Sequence, residues 1–306
     1  MTSTSVPLPR TISLRGASHD WRGAAFQGIL LVALLFSIAT LLALLADIAA
    51  RGLPTLLERG VDFVTSPTSS RPDRAGVVQG IFGTLMMAVF VTLFAFPVGS
   101  LTAVFLEEYA GEGRLARLVA VNIRNLAGVP SVVYGLLGLA TFVLAFGPLT
   151  GGRTMIAGGL TLAVLVLPIV IITASEAIRA VPRSLREGGY GVGASRWQVT
   201  RRLVLPSAAP GILTGTVLAL SRALGETAPL ILAGAVLGGF STGNRDLVEQ
   251  VFGRYTVLPV TIFDWSRRPQ AEFRDLTAAA IIVLLAVTLI ANAIAILLRS
   301  RSETRP

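Results

Sequence analysis

The chain of 306 residues contains no lysine and no cysteine, and its single histidine, His19, sits in the polar N-terminal tail. Each absence removes a class of chemistry. A standard P-loop holds its phosphates with a lysine, so this chain cannot carry one. The glycine-rich "GYGVG" at 189–193 does not replace it, because no G-K-[ST] follows and no strand precedes. Without cysteine there are no disulfides and no thiol nucleophiles. Without a second histidine, histidine-based catalysis and metal ligation within the apolar part are excluded. No catalytic residue, metal or cofactor is expected, and no nucleic-acid partner. Charge is also scarce, at 14% of residues against about a quarter in soluble proteins.

What replaces charge is apolar surface: 53% of residues are hydrophobic and the mean hydropathy is +0.73. Six apolar stretches reach the length of about 20 helical residues needed to cross hydrocarbon. They fall at about 27–50, 76–106, 125–150, 154–177, 208–237 and 276–298. The first is too long for the apolar core of a signal peptide and is read as a span. The expected organisation is a tail over 1–26, a transmembrane domain over 27–300, and a tail over 301–306. Arginines, fifteen in the tails and even-numbered loops against ten in the odd-numbered loops, place both termini in the cytoplasm. Prolines at 97, 130, 168 and 229 interrupt the four central spans, each removing a backbone donor and favouring a kink. The fold class expected is all-α integral membrane.

The loop between the fourth and fifth spans, 181–207, is basic and too long for a simple turn. "RSLREGGYGVGASRWQVTRRLVL" can form two short helices about a turn at Gly191–Gly193. Trp197 and the aliphatic residues near Leu203 would lie on the apolar side, with arginines on the wetter side. Such a segment can be an interfacial helix, with tryptophan at the headgroups and arginine on lipid phosphates. It can also be a docking element.

The loop resembles the coupling segment of ATP-binding-cassette importer permeases, whose pattern is E-A-A, three residues, G, nine residues, I-x-L-P. Glu187, Gly188 and Gly189 occupy the first three positions and Gly193 the glycine; Leu203, Leu205 and Pro206 complete the pattern. Two alanines are glycine here and the isoleucine is leucine, and two glycines weaken a helix by roughly 1 kcal/mol each. The resemblance implies a type I ABC importer permease fold: six transmembrane helices with a cytoplasmic coupling-helix loop that docks on a separate ATPase. The chain itself would then not be an enzyme.

The fifth span holds the other anomaly. "SRALGETAPL", 221–230, places Arg222 and Glu226 within an apolar run. Four residues apart on a helix, they share a face and can pair. One reading is a structural clamp. The other is an anion pathway, since arginine donates a planar fork of hydrogen bonds and stays charged, and intramembrane charges mark pathways or bundle interiors. Thr227 adds a hydroxyl at that level, and Ser131 and Tyr134 in the third span can reach the same cavity or bond neighbours. "SRALGETAPLILAG" resembles the span-five segment of phosphate-importer permeases of the PstA type. "GVPSVVYGLLGL" (128–139) and "LPVTIFDWSRRPQAEFRDLTAAA" (258–280) resemble further stretches of that subunit. The likeness covers roughly 75–300. It implies phosphate as substrate, with Arg222, Glu226, Thr227, Ser131 and Tyr134 as pathway residues. The implied partners are a second homologous permease, an ATPase dimer, an extracytoplasmic phosphate-binding protein and membrane lipid. The alternatives kept are an importer permease for molybdate or sulfate, a proton-coupled secondary transporter with Glu226 as carrier, and a non-transporting scaffold.

Overall fold

The computed structural model describes residues 21–111, 113–239 and 247–303. His19 and most of the expected N-terminal tail lie outside the described residues. Those described contain helices and no strand. Two compact units divide at Asp47–Ile48. In the first, helix α1 (Trp21–Thr65) begins, and its residues to Ala46 are exposed and mostly apolar.

The second unit takes the rest of α1 and every other helix. It holds α2 (Val78–Val104), extended by a π-helical turn to Tyr109, then α3 (Arg114–Ala127) and α4 (Ser131–Gly138), extended by a π turn to Ala145. A single turn α5 (Gly147–Thr150) leads to α6 (Met155–Arg179), α7 (Arg183–Gly191) and α8 (Arg196–Val199). A π turn at Thr200–Val204 joins α8 to α9 (Leu205–Gly225). The short α10 (Ala228–Leu232), α11 (Leu247–Val251) and α12 (Leu258–Ser266) precede the long α13 (Glu272–Glu303).

Five helical stretches among the described residues are long and apolar enough to span a membrane, and α3 with α4 makes a sixth, bent by 104°. The six-span, all-α architecture expected from hydropathy is therefore present. Two spans depart from the run read as continuous. The third, expected from Asn125, is broken at Gly128–Pro130, so Asn125 belongs to α3. The fifth, expected to run from 208 to 237, loses its helix at Gly225. Proline explains both breaks. Pro130 caps α4 and Pro229 sits in the first turn of α10, where a missing N–H costs nothing. Pro97 and Pro168 stay inside α2 and α6.

Helix α6 is the centre of the bundle, packed by α2 and α9 most extensively and by α4 and α3 as well. Its neighbours approach through small residues. A Cβ on Gly99 of α2 would meet Val170 Cγ1 at 2.6 Å. One on Gly138 of α4 or Gly215 of α9 would meet the hydroxyl of Thr161 or Thr173 at 2.1 Å. Those hydroxyls donate to Ala157 and Ile169 carbonyls one turn back, so the close approach leaves no unsatisfied donor. Lipid gives helices no hydrophobic reason to associate, so this contact of small residues supplies much of the adhesion.

Substituting Gly215→Leu should force α9 off α6, an overpacking cost of about 1–3 kcal/mol, and lower the folded protein recovered from membranes. Gly28→Ala, where nothing lies within 4 Å, should leave recovery unchanged. Quantitative immunoblotting of detergent-solubilised, monodisperse protein checks both.

Candidate functional site

Helix α9 ends where its sequence cannot continue. Pro229 has no N–H to donate to Gly225, and Glu226 takes an extended conformation with φ −76° and ψ 128°. Its backbone N–H turns back to the Ala223 carbonyl. Arg222 and Glu226 thus pair across the end of a helix, with Nε 3.5 Å from Oε1, where the sequence suggested two positions on one unbroken helix. The arginine side chain is 51% exposed and the carboxylate 15%. Glu226 is the sheltered partner, and the guanidinium keeps half its surface open to bind. Placed in the last turn of α9, Arg222 also offsets the negative end of that helix. One residue earlier, the Ser221 hydroxyl lies 2.7 Å from Asn292 Oδ1 and ties α9 to α13.

The other candidates divide. Thr227 stands at the break, half-buried, and caps α10 with its backbone but not its side chain. Ser131 opens α4, half-buried as well. Tyr134 is buried, and its hydroxyl donates to the Leu126 carbonyl at 2.8 Å. That bond closes the bend between α3 and α4. The two breaks are brought together: α4 packs on α10, and a Cβ on Gly135 would lie 2.7 Å from Pro229 Cα.

The segment 181–207 forms the expected pair of helices. Between them Gly193 adopts φ +80°, a conformation costly for any residue with a Cβ. Ser195 then caps α8, its Oγ accepting from the Gln198 N–H while the Gln198 side chain accepts from the Ser195 N–H. Glu187 and Gly188 are exposed. Gly189 is buried, and a Cβ there would touch Leu203 Cδ1 at 2.8 Å and Val199 Cγ2 at 2.9 Å. Leu203 and Leu205 are half-buried, and Pro206 is exposed at the start of α9. Trp197 departs from the expected arrangement, because it is exposed rather than grouped with Leu203. With Tyr190 and Val192, the latter 85% exposed, it leaves apolar surface bare at the tip. Moreover α8, the π turn and α9 are continuous from Arg196 to Gly225. At 1.5 Å per residue, about 39 Å of helix joins the tip to Arg222.

Two bracing residues escaped the sequence reading. Glu108, in the π turn ending α2, anchors this hairpin, and its neighbour Glu107 ties the same turn to the end of α6. Glu107 takes two bonds from Arg179, at 2.7 and 3.3 Å. Glu108 accepts Nε and Nη2 of Arg186 at 3.1 and 2.9 Å, and the same guanidinium donates to the Val181 and Ile178 carbonyls. Glu108 is 6% exposed. Arg196 lies 5.2 Å over the Tyr109 ring. The available signal was a pair of adjacent acids closing an uncharged run opposite an arginine-rich loop.

A bundle of spanning helices, two broken at its middle, and a cantilevered helical hairpin define a permease of the importer class. Residues 95–304 match the family described as binding-protein-dependent transport system inner membrane component, and the chain belongs to that family. Among its relatives, the phosphate transport system permease protein PstA of Mycobacterium leprae is 36% identical over 214 residues, covering 69% of this chain and 67% of that one. The probable ABC transporter permease protein YqgH of Bacillus subtilis is 35% identical over 240 residues, covering 75% and 71%. The fold is similar to that of a bacterial alginate ABC transporter solved in complex with an alginate-bound periplasmic protein. There the TM-score is 0.58, at 18% identity over 90% of this chain and 96% of that one.

The two acids of the brace should differ sharply. Glu108→Ala strips the carboxylate from Arg186, which is 19% exposed and keeps its bonds to the Val181 and Ile178 carbonyls; this should cost about 1–3 kcal/mol. Glu107→Ala removes a bond to an exposed arginine, worth about 0–1 kcal/mol. Thermal unfolding of the purified variants should show a large loss for the first and a small one for the second.

Proposed function

We propose that this chain is a transmembrane permease subunit of an ATP-driven phosphate importer, working by alternating access. The single observation that carries the reading is the unbroken helix from Arg196 to Gly225. It connects an exposed tip of the coupling pattern to an arginine–glutamate pair at a helix break. The relatives named for phosphate transport support the choice of substrate.

In this reading Arg222 meets the phosphate oxyanion with its guanidinium fork. Glu226 holds that fork and competes with the anion for it, so that phosphate is released rather than trapped. Thr227 offers a hydroxyl beside them. Ser131 lies on the helix that packs against the break, and Tyr134 fixes that helix rather than touching substrate. Hydrolysis of ATP takes place on a dimeric partner that grips α7, the Gly193 turn and α8. A second, homologous permease completes the pathway. An extracytoplasmic phosphate-binding protein docks on the outer segments 51–75 and 239–274, of which 240–246 lie outside the described residues. Both termini face the cytoplasm of a bacterial cell membrane, as the arginine distribution supports. When the ATPase dimer closes, the α7–α8 hairpin moves with α9 and shifts Arg222. Transport requires that the anion bind the two states unequally, and the break at Glu226 is where such a difference arises.

Labelled phosphate uptake, with sulfate and molybdate as competitors, tests this in cells carrying wild type or Arg222→Ala. Uptake should fall about ten- to hundredfold, the scale of a lost charged contact, while membrane level and retention of the ATPase stay normal. Competition by sulfate or molybdate as strong as by phosphate would reassign the substrate. Collapse of assembly in the variant would make the pair a clamp.

A further inference from the structure

The end of the bundle that carries the coupling hairpin contains a groove of about 840 Å³, bounded by α3, the ends of α2 and α6, and α7. Its walls include Arg117 and Arg124 from α3 and Arg183 from α7, together with the Glu107–Arg179 and Glu108–Arg186 pairs. Those pairs cancel. What remains is four arginines against one carboxylate, Glu176. Arg196 is stacked on the Tyr109 ring, and none of Arg117, Arg124 and Arg183 makes an ion pair or side-chain hydrogen bond among the described residues.

The helix that supplies two of these cations is built to face two media. Arg117 and Arg124 are seven residues apart, hence on one face, and Ala116, Ala120 and Ile123 line the groove beside them. Around the other side, Leu115, Leu118 and Leu126 are exposed. Such a helix lies with its apolar face in lipid at the headgroup boundary, so the cationic face borders both the headgroup layer and the aqueous phase.

We propose that this groove is a second anion site, distinct from the Arg222 break, which binds a phosphoryl oxyanion through Arg117, Arg124 and Arg183. Unpaired guanidinium forks suit phosphate oxygens. An anionic phospholipid headgroup and free inorganic phosphate both present that chemistry. Binding needs only the groove. Its consequence, that occupancy holds α7 against α3 and so tunes the coupling hairpin, rests on the functional reading above.

The test uses the complete permease–ATPase assembly in nanodiscs, with wild type or Arg117→Gln/Arg124→Gln, both residues being exposed and outside the transport and coupling elements. One arm counts phosphatidylglycerol retained from mixed phosphatidylcholine discs by native mass spectrometry. The other measures labelled inorganic phosphate bound in pure phosphatidylcholine discs, in an Arg222→Ala background. Affinity should fall by about thirtyfold in the variant, the combined effect of two basic residues at a membrane surface. The arm in which it falls identifies the ligand. Equal binding by both proteins in both arms, or none by wild type, overturns the proposal. If the double variant fails to assemble, Arg117→Ala alone is measured against the same criteria. Phosphate uptake by the wild-type assembly in vesicles, with Arg222 intact, separates the two readings. Groove binding without uptake overturns the transport function and leaves the groove. Uptake with no groove binding does the reverse.

Discussion

A backbone group that leaves a helix inside hydrocarbon finds no water, and each one left unpaired costs several kcal/mol. This bundle breaks two of its helices and depends on closing every such gap from within. At the first break, the N–H groups of Gly128 and Val129 turn back to Asn125 and Leu126, and Tyr134 adds its hydroxyl to Leu126. At the second, Glu226 bonds Ala223, Ala235 bonds Leu230, and Val236 bonds the Tyr255 carbonyl. The Tyr255 hydroxyl reaches Leu230 as well. Helices α4 and α10 begin at these breaks and pack together, which covers Pro229 and Leu230 while Gly128, Pro130 and Gly225 stay exposed.

The rest of the molecule connects those breaks to the hairpin through packed helices. The hairpin of α7 and α8 is stiffened by the Gly189 contact with Leu203 and Val199. It is bolted to the end of α2 through Arg186 and Glu108 and to α6 through the Arg186 bond to the Ile178 carbonyl. Glu107 ties α2 to α6 through Arg179. Helix α9 continues from the hairpin to Gly225 past the π turn and the internal Pro210. The π turn at Thr200–Val204 lets Pro206 follow it without interrupting the helix. Against α6, the small residues Gly99, Gly138 and Gly215 give close but smooth contacts. Rigid elements meeting at smooth interfaces shift between discrete arrangements rather than deform.

Hydropathy made the spans legible, and spacing made the coupling segment legible, because both depend on local order along the chain. The glycine of the turn was visible for the same reason: Gly193 is required by its own φ. The breaks were only half visible. Prolines 97, 130, 168 and 229 look alike in sequence, and tertiary packing decides which ones end a helix. Tyr134 was placed with the pathway candidates because nothing local shows that its hydroxyl is committed to Leu126. Glu107 and Glu108 were missed since their partners lie more than seventy residues away. Trp197 was misread because amphipathicity says which residues share a face, not whether that face is covered.

The half-exposed guanidinium of Arg222 also bears on the life of the subunit before it assembles. A solitary copy would present that cation to lipid, or else draw water into the bilayer. Either is costly enough to make an unpartnered chain recognisably abnormal to membrane quality control. The residue proposed to meet the transported anion would then also report that assembly is incomplete. Balanced subunit numbers could follow from the site's own chemistry, with excess copies removed because their working parts are uncovered.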